Sequence, residues 1–171
     1  LASDKQPIYD RIAGSRGAVV HVFQALLNSP DATEVVAALG EYLRYRSPLD
    51  PVIRETAILS AARELNNHYE WTQHEPVARE VGVRDQVIEA IRSGRAPMGI
   101  PAKEGVFAQA AKELVRDGTL TERTFQAVEH LLGPRQTVDL IVLIGYYSML
   151  GRLISALGVE LEEGKRSTLD G

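Results

Sequence analysis

Apolar residues recur at three- and four-residue intervals along almost the whole chain, the period of a helix with one buried stripe. No segment alternates apolar and polar residues with the period of a strand, and no hairpin turn signal occurs. The β-branched pairs Val19-Val20, Val35-Val36 and Ile141-Val142 each lie inside a longer helical pattern. The pattern therefore predicts an all-α fold of about six to nine helices.

Punctuation divides the pattern. A short helix is expected over residues 7–13, broken by Gly14 and Gly17, and an apolar one over 18–28. Ser29-Pro30 and Asp50-Pro51 each pair a capping residue with proline at the first helical position, which marks a helix start. The helix from Pro30 is expected to reach residue 46 and to bury Val35, Ala38, Leu39 and Leu43. The helix from Pro51 ends near Asn66-Asn67, and a second runs from there to Gly82, a left-handed terminator, with Pro76 as a possible kink. Further helices are expected over 84–93, 102–117, 122–132 (Thr121 as cap; Phe125, Val128 and Leu132 inward) and 135–157. The segment SGRAPMGIPA between the first two of these reads as a lid or a subunit-contact loop. The last helix is apolar on nearly every side over residues 140–144, so it belongs in a core or between subunits, and Gly145 and Gly151 permit close backbone approach there. From Glu162 onward the chain turns polar and is expected to fray.

Composition adds exclusions. The 171 residues suffice for one domain, residues 1–171, with a real core. A net charge of −4 without a dense Lys/Arg cluster argues against nucleic acid as a partner. No continuous apolar run of membrane-spanning length occurs, so no membrane partner is expected. The first ten residues lack a charged stretch followed by an apolar one, so the sequence as it stands carries no signal peptide, and a cytoplasmic location is expected. The absence of cysteine removes disulfides, thiolate metal sites and thiol nucleophiles together.

Chemistry-bearing side chains crowd into residues 54–81, RETAILSAARELNNHYEWTQHEPVAREV. Glu70 and His74 are four apart and share a helix face. Glu55 shares its own face with Ile58, Leu59 and Ala62. Two carboxylates and an imidazole on apolar faces are costly unless paired or functional. The plain alternative is a surface Glu–His pair. Asn66 and Asn67 are equally readable as helix caps, Tyr69 and Trp71 as packing aromatics, and Arg16 and Arg152 as exposed arginines rather than carboxylate clamps. One of Tyr146 and Tyr147 should turn inward. No second histidine stands at ligand spacing, so no metal site is expected.

The same segment resembles the carboxymuconolactone decarboxylase family, which includes the alkyl hydroperoxidase D group. Redox-active members carry a glutamate, a cysteine twelve residues on, a second cysteine three further and a histidine four beyond. Glu55, Asn67, Glu70 and His74 occupy those positions, so the spacing is kept while both thiols are replaced. GSRGAVVHVFQALLNSPDA and LIVLIGYYSMLGRLISALGVELE resemble the family's opening and closing helices, and the likeness spans roughly residues 10–162.

The resemblance implies an all-α protomer in a homo-oligomer, a trimer or hexamer. It implies a lyase needing no metal or organic cofactor, acting on a small carboxylated or lactone-type metabolite of aromatic catabolism. His74, Glu70 and Glu55 are the candidate catalytic residues, and Asn67, Trp71 and Tyr147 the candidate substrate contacts. The thiol-dependent peroxidase reaction of the redox members has no nucleophile here. A non-catalytic helical binding protein is the alternative.

Overall fold

The fold is built around one central helix. The computed structural model describes residues 5–94 and 102–169, and these form eight α-helices without a strand among them. They are α1 (Gln6–Arg16), α2 (His21–Leu26), α3 (Pro30–Glu41), α4 (Pro51–Glu64), α5 (His68–Val81), α6 (Asp85–Arg92), α7 (Ala102–Arg116) and α8 (Glu122–Leu157). α4 packs against α5, α6, α7 and α8 and is buried continuously from Glu55 to Ala62. Asp50 accepts a hydrogen bond from the Val52 backbone N–H (2.8 Å), and Pro51 takes the first helical position, so the expected start signal operates. Ala57, Ser60, Ala61 and Ala62 keep α4 slim enough for neighbours to approach on every side.

Two apolar clusters flank α4. The larger joins α1, α2, α4, α7 and α8 through residues such as Ile12, Phe23, Ile58, Phe107 and Leu143. The smaller joins α4, α5 and α6 through Leu59, Trp71, Ala78, Val87 and Ile88. Burial of each large side chain contributes about 1.5–3 kcal/mol. The inward trio Val87, Ile88 and Ile91 on α6 is as the periodicity predicts.

α3 departs from expectation. Its buried positions are Thr33, Ala37 and Gly40, while Val35 is 69% exposed and Ala38 and Leu39 also face outward. Two residues of helix are about 200°, so the apolar stripe Val35-Leu39 lies nearly opposite the buried one. After Glu41 the helix widens into a π-helical turn, Tyr42–Arg46, closed by the Ser47 N–H donating to the Tyr42 carbonyl (2.8 Å). This turn brings Leu43 fully inside.

α8 begins at its Thr121 cap and is broken at Gly133 (φ 73°, ψ 169°), where the sequence predicts one helix ending and another starting. Val128 points inward as expected and Leu132 packs half-buried against the larger cluster, whereas Phe125 is partly exposed and Thr124 is buried in its place. An 18-residue window of α8 has a mean hydropathy of 1.7, long and apolar enough to cross a membrane although charged residues interrupt any continuous run. Half of that window is packed within the protomer, as for a core helix. Gly151 is a close approach: a Cβ there would lie 2.7 Å from Leu65 Cδ1. Gly145 is not, having nothing within 4 Å of such a Cβ.

Through residue 169 the polar tail is anchored rather than frayed. Glu162 accepts hydrogen bonds from the Tyr69 hydroxyl (2.6 Å), the His21 N–H (3.2 Å) and the Gln73 amide. Thr168 reaches the Trp71 indole N–H (3.0 Å), and Leu169 is buried against the smaller cluster. Specific partners on α5 therefore hold a segment whose composition alone predicts none. The proposed lid or contact loop falls largely on residues 95–101, outside the described residues.

Candidate active site

Local backbone geometry aims the site. Asn66 is left-handed (φ 49°), the single non-glycine residue with positive φ among the described residues, and it turns the chain from α4 into α5. The Asn67 side chain accepts from the Glu70 N–H (2.8 Å), capping α5, and its amide donates to the Gly151 carbonyl (3.0 Å). The start of α5 is thus fixed against α8. Glu70 lies in the first turn and His74 one turn further on the same face. Pro76 is accommodated without ending the helix. Gly82 terminates it in the left-handed conformation expected of it, with the Val83 N–H returning to the Ala78 carbonyl (2.8 Å).

The three candidate catalytic residues meet. Glu55 is 0% exposed, and its Oε2 lies 2.7 Å from His74 Nδ1. The His74 Nε2 is 3.6 Å from Glu70 Oε2, an ion-pair distance rather than a hydrogen bond. The second oxygen of Glu55 accepts from Arg54 Nε (3.1 Å), and Arg54 Nη1 donates to the Arg44 carbonyl (2.8 Å). Burial by itself would raise the Glu55 pKa. The charge and hydrogen bond of His74, and those of Arg54, outweigh it and hold Glu55 below the usual 4.5. An ionised Glu55 accepts a hydrogen bond that Nδ1–H donates, which leaves Nε2 as the working nitrogen.

A cavity of about 230 Å³ lies beside His74 and Glu70. His74, Glu70, Tyr69, Tyr146, Tyr147 and Arg44 give it polar groups, and Val20, Val22, Phe23 and Leu150 give it apolar wall. Tyr147 stands edge-on to His74, with ring centroids 4.9 Å apart at 87°. Burial pushes the Tyr147 hydroxyl well above its usual 10, and Glu70 adds to the effect, so the phenol stays protonated. Both tyrosines, not one, turn inward.

The other proposed contacts separate. Asn67 is used as a cap and a tie to α8 and does not line the cavity. Trp71 is 0% exposed in the smaller cluster, its indole N–H shared by Glu75 and Thr168, and it does not line the cavity either. Of the proposed contacts, Tyr147 alone reaches it. Arg152 is exposed and bonded to the Ser148 carbonyl. His68 bonds Ser167 on the side away from His74. The carboxylates of Glu55 and Glu70 approach opposite nitrogens of one imidazole, so these donors do not converge on a common point, and no metal-ligand cluster occurs among the described residues.

Sequence reasoning missed Arg44, Arg54, Gln73 and the cavity role of Tyr69. Arg54 had a signal, since it directly precedes a buried glutamate. Arg44 had none, because the π-helical turn breaks the periodicity that would place it.

The all-helical fold is alkyl hydroperoxidase D-like. Residues 30–113 match the carboxymuconolactone decarboxylase family, and the sequence holds no cysteine. Two solved structures share its fold. One, from Ralstonia eutropha JMP134, is described as an alkylhydroperoxidase AhpD core and an uncharacterized peroxidase-related protein. It superposes with a TM-score of 0.78 at 16% identity, over 95% of this chain and 87% of its own. The other, an uncharacterized peroxidase-related protein from Silicibacter sp. TM1040, gives 0.76 at 17% identity over 100% and 89%. No curated protein matches in sequence.

Proposed function

We propose that the protein is a carboxymuconolactone decarboxylase-like lyase, transferring protons on a small carboxylated or lactone-type metabolite without a thiol. The observation that carries this reading is the 2.7 Å contact between His74 Nδ1 and a fully buried Glu55, in a histidine that also lines the cavity. That arrangement is a positioned acid/base group, which is typically worth about 10²–10⁴-fold in rate. In a decarboxylation the bond to the departing carboxylate breaks as carbon dioxide leaves. Its electron pair moves through the adjacent double bond into the lactone carbonyl. Protonated His74 then delivers its Nε2 proton to carbon and becomes neutral, Glu55 having stabilised the imidazolium before that step. The protonated Tyr147 beside the ring is a donor for developing negative charge.

The peroxidase-related naming of the two structural neighbours does not transfer. Asn67 and Glu70 stand at the two positions that thiols occupy in redox-active members, and the first is committed to capping. Apolar side chains left exposed on α3 and α8, among them Val35, Val138 and Leu157, support association of protomers into the oligomer that the family resemblance implies.

The test is turnover of γ-carboxymuconolactone followed in the ultraviolet by the wild type and by His74→Ala. Loss of about 10²–10⁴-fold in the variant is expected. Undiminished turnover without His74 removes the mechanism, and absence of turnover in the wild type removes the named substrate.

A further inference from the structure

Arg44 is the one lysine or arginine among the residues lining the cavity. Among the described residues no carboxylate lies within ion-pair distance of its guanidinium, which stands 5.4 Å from the Tyr45 ring and acts electrostatically on the Tyr147 hydroxyl. The other cations near the site are committed: Arg54 holds Glu55 and the Arg44 carbonyl. The half-buried Arg44 therefore brings a permanent positive charge and a planar set of donors to a partly apolar chamber.

Its backbone is held firmly. Arg54 donates to its carbonyl from one side. On the other, the buried Asp139 of α8 accepts from the Tyr42 hydroxyl (2.9 Å) and the Ser47 hydroxyl (3.0 Å), clasping both ends of the π-helical turn. A wide turn fixed at both ends, with a cation facing a cavity, is an arrangement found at functional sites.

We propose that Arg44 is the specificity-determining residue of the cavity, binding a carboxylate of the substrate through its guanidinium so that the rest of the molecule lies along the apolar wall toward His74. The ligand class is a small planar carboxylate, with an apolar or unsaturated body facing Val22, Phe23 and Leu150. The inference rests on reading this cavity as the substrate site, but it concerns recognition and not the chemical step.

Binding is measured by calorimetry and ligand-observed NMR with benzoate and its neutral isostere benzamide, on the full chain. The wild type is expected to bind benzoate at millimolar concentration and benzamide about 10-fold more weakly or worse. Arg44→Gln should weaken benzoate about 10- to 100-fold and leave benzamide unchanged, erasing the discrimination. Arg44→Lys should recover part of it, which a merely structural role would not produce. His74→Ala should still bind benzoate, so failure of the proposed chemistry and failure of this assignment are separable. The assignment is overturned if the wild type fails to bind benzoate at about 10 mM, if benzamide binds as well, or if folded Arg44→Gln keeps the preference.

Discussion

His74 Nδ1 and Glu55 Oε2 lie 2.7 Å apart with Glu55 sealed from solvent, so the two residues behave as one unit. Glu55→Gln keeps the shape and removes the charge. Its kcat/KM on whatever substrate the wild type turns over should fall about 10²–10⁴-fold, because nothing then stabilises the imidazolium. A loss of less than about threefold would sink the assigned role of Glu55.

The same pair sets an acid limit. Glu55 is held below its usual pKa in the folded state, so its stabilising contribution is fully present above about 4.5. That contribution disappears as pH falls through the lower folded value. Glu162, lowered by its bonds from Tyr69 and His21 against the opposing effect of burial, acts in the same direction. Urea midpoints of wild type and Glu55→Gln should differ most near neutrality and converge as the pH is lowered below about 4. A gap that widens in acid would contradict the ionised Glu55.

The docked tail makes a spectroscopic prediction. Trp71 is the single tryptophan, and Thr168 and Leu169 help to enclose it. Truncation after Val159 should shift its emission to the red and lower stability by about 2–5 kcal/mol, from lost apolar cover and lost hydrogen bonds. An unchanged emission maximum would show that the tail does not cover the indole.

Two glycines of α8 should behave oppositely. Gly151→Ala places a methyl 2.7 Å from Leu65 Cδ1 and 3.4 Å from the Asn67 amide, and should cost about 1–3 kcal/mol. Gly145→Ala meets nothing within 4 Å and should stabilise the protomer by up to about 1 kcal/mol through helix propensity. Thermal melts of the two variants decide it.

Much of this molecule is legible in its sequence because its signals are local. The starts at Pro30 and Pro51, the end at Gly82 and the break at Gly133 are each set by one or two residues. The convergence of Glu55, Glu70 and His74 follows from spacing on two helices joined by a short turn. What could not be read depends on partners far away in the chain. The outward face of α3 is decided by packing on α1 and α2 rather than by its own apolar stripe. The order of the tail rests on Tyr69, Gln73 and Trp71, all nearly a hundred residues upstream. Asn67 is a polar residue in the right neighbourhood whose hydrogen bonds are already spent on backbone.

The π-helical turn has a bearing on how such a site could diversify. A turn of this width is what a helix adopts when it absorbs one additional residue without re-registering its flanks. It lets neighbours in sequence, Leu43 and Arg44, both face inward, one to the core and the other to the cavity. A one-residue insertion or excision between Glu41 and Ser47 would therefore add or delete a cation while α3 and α4 stay seated. The cavity's charge can thus change by indel while the buried Glu55–His74 pair stays as it is.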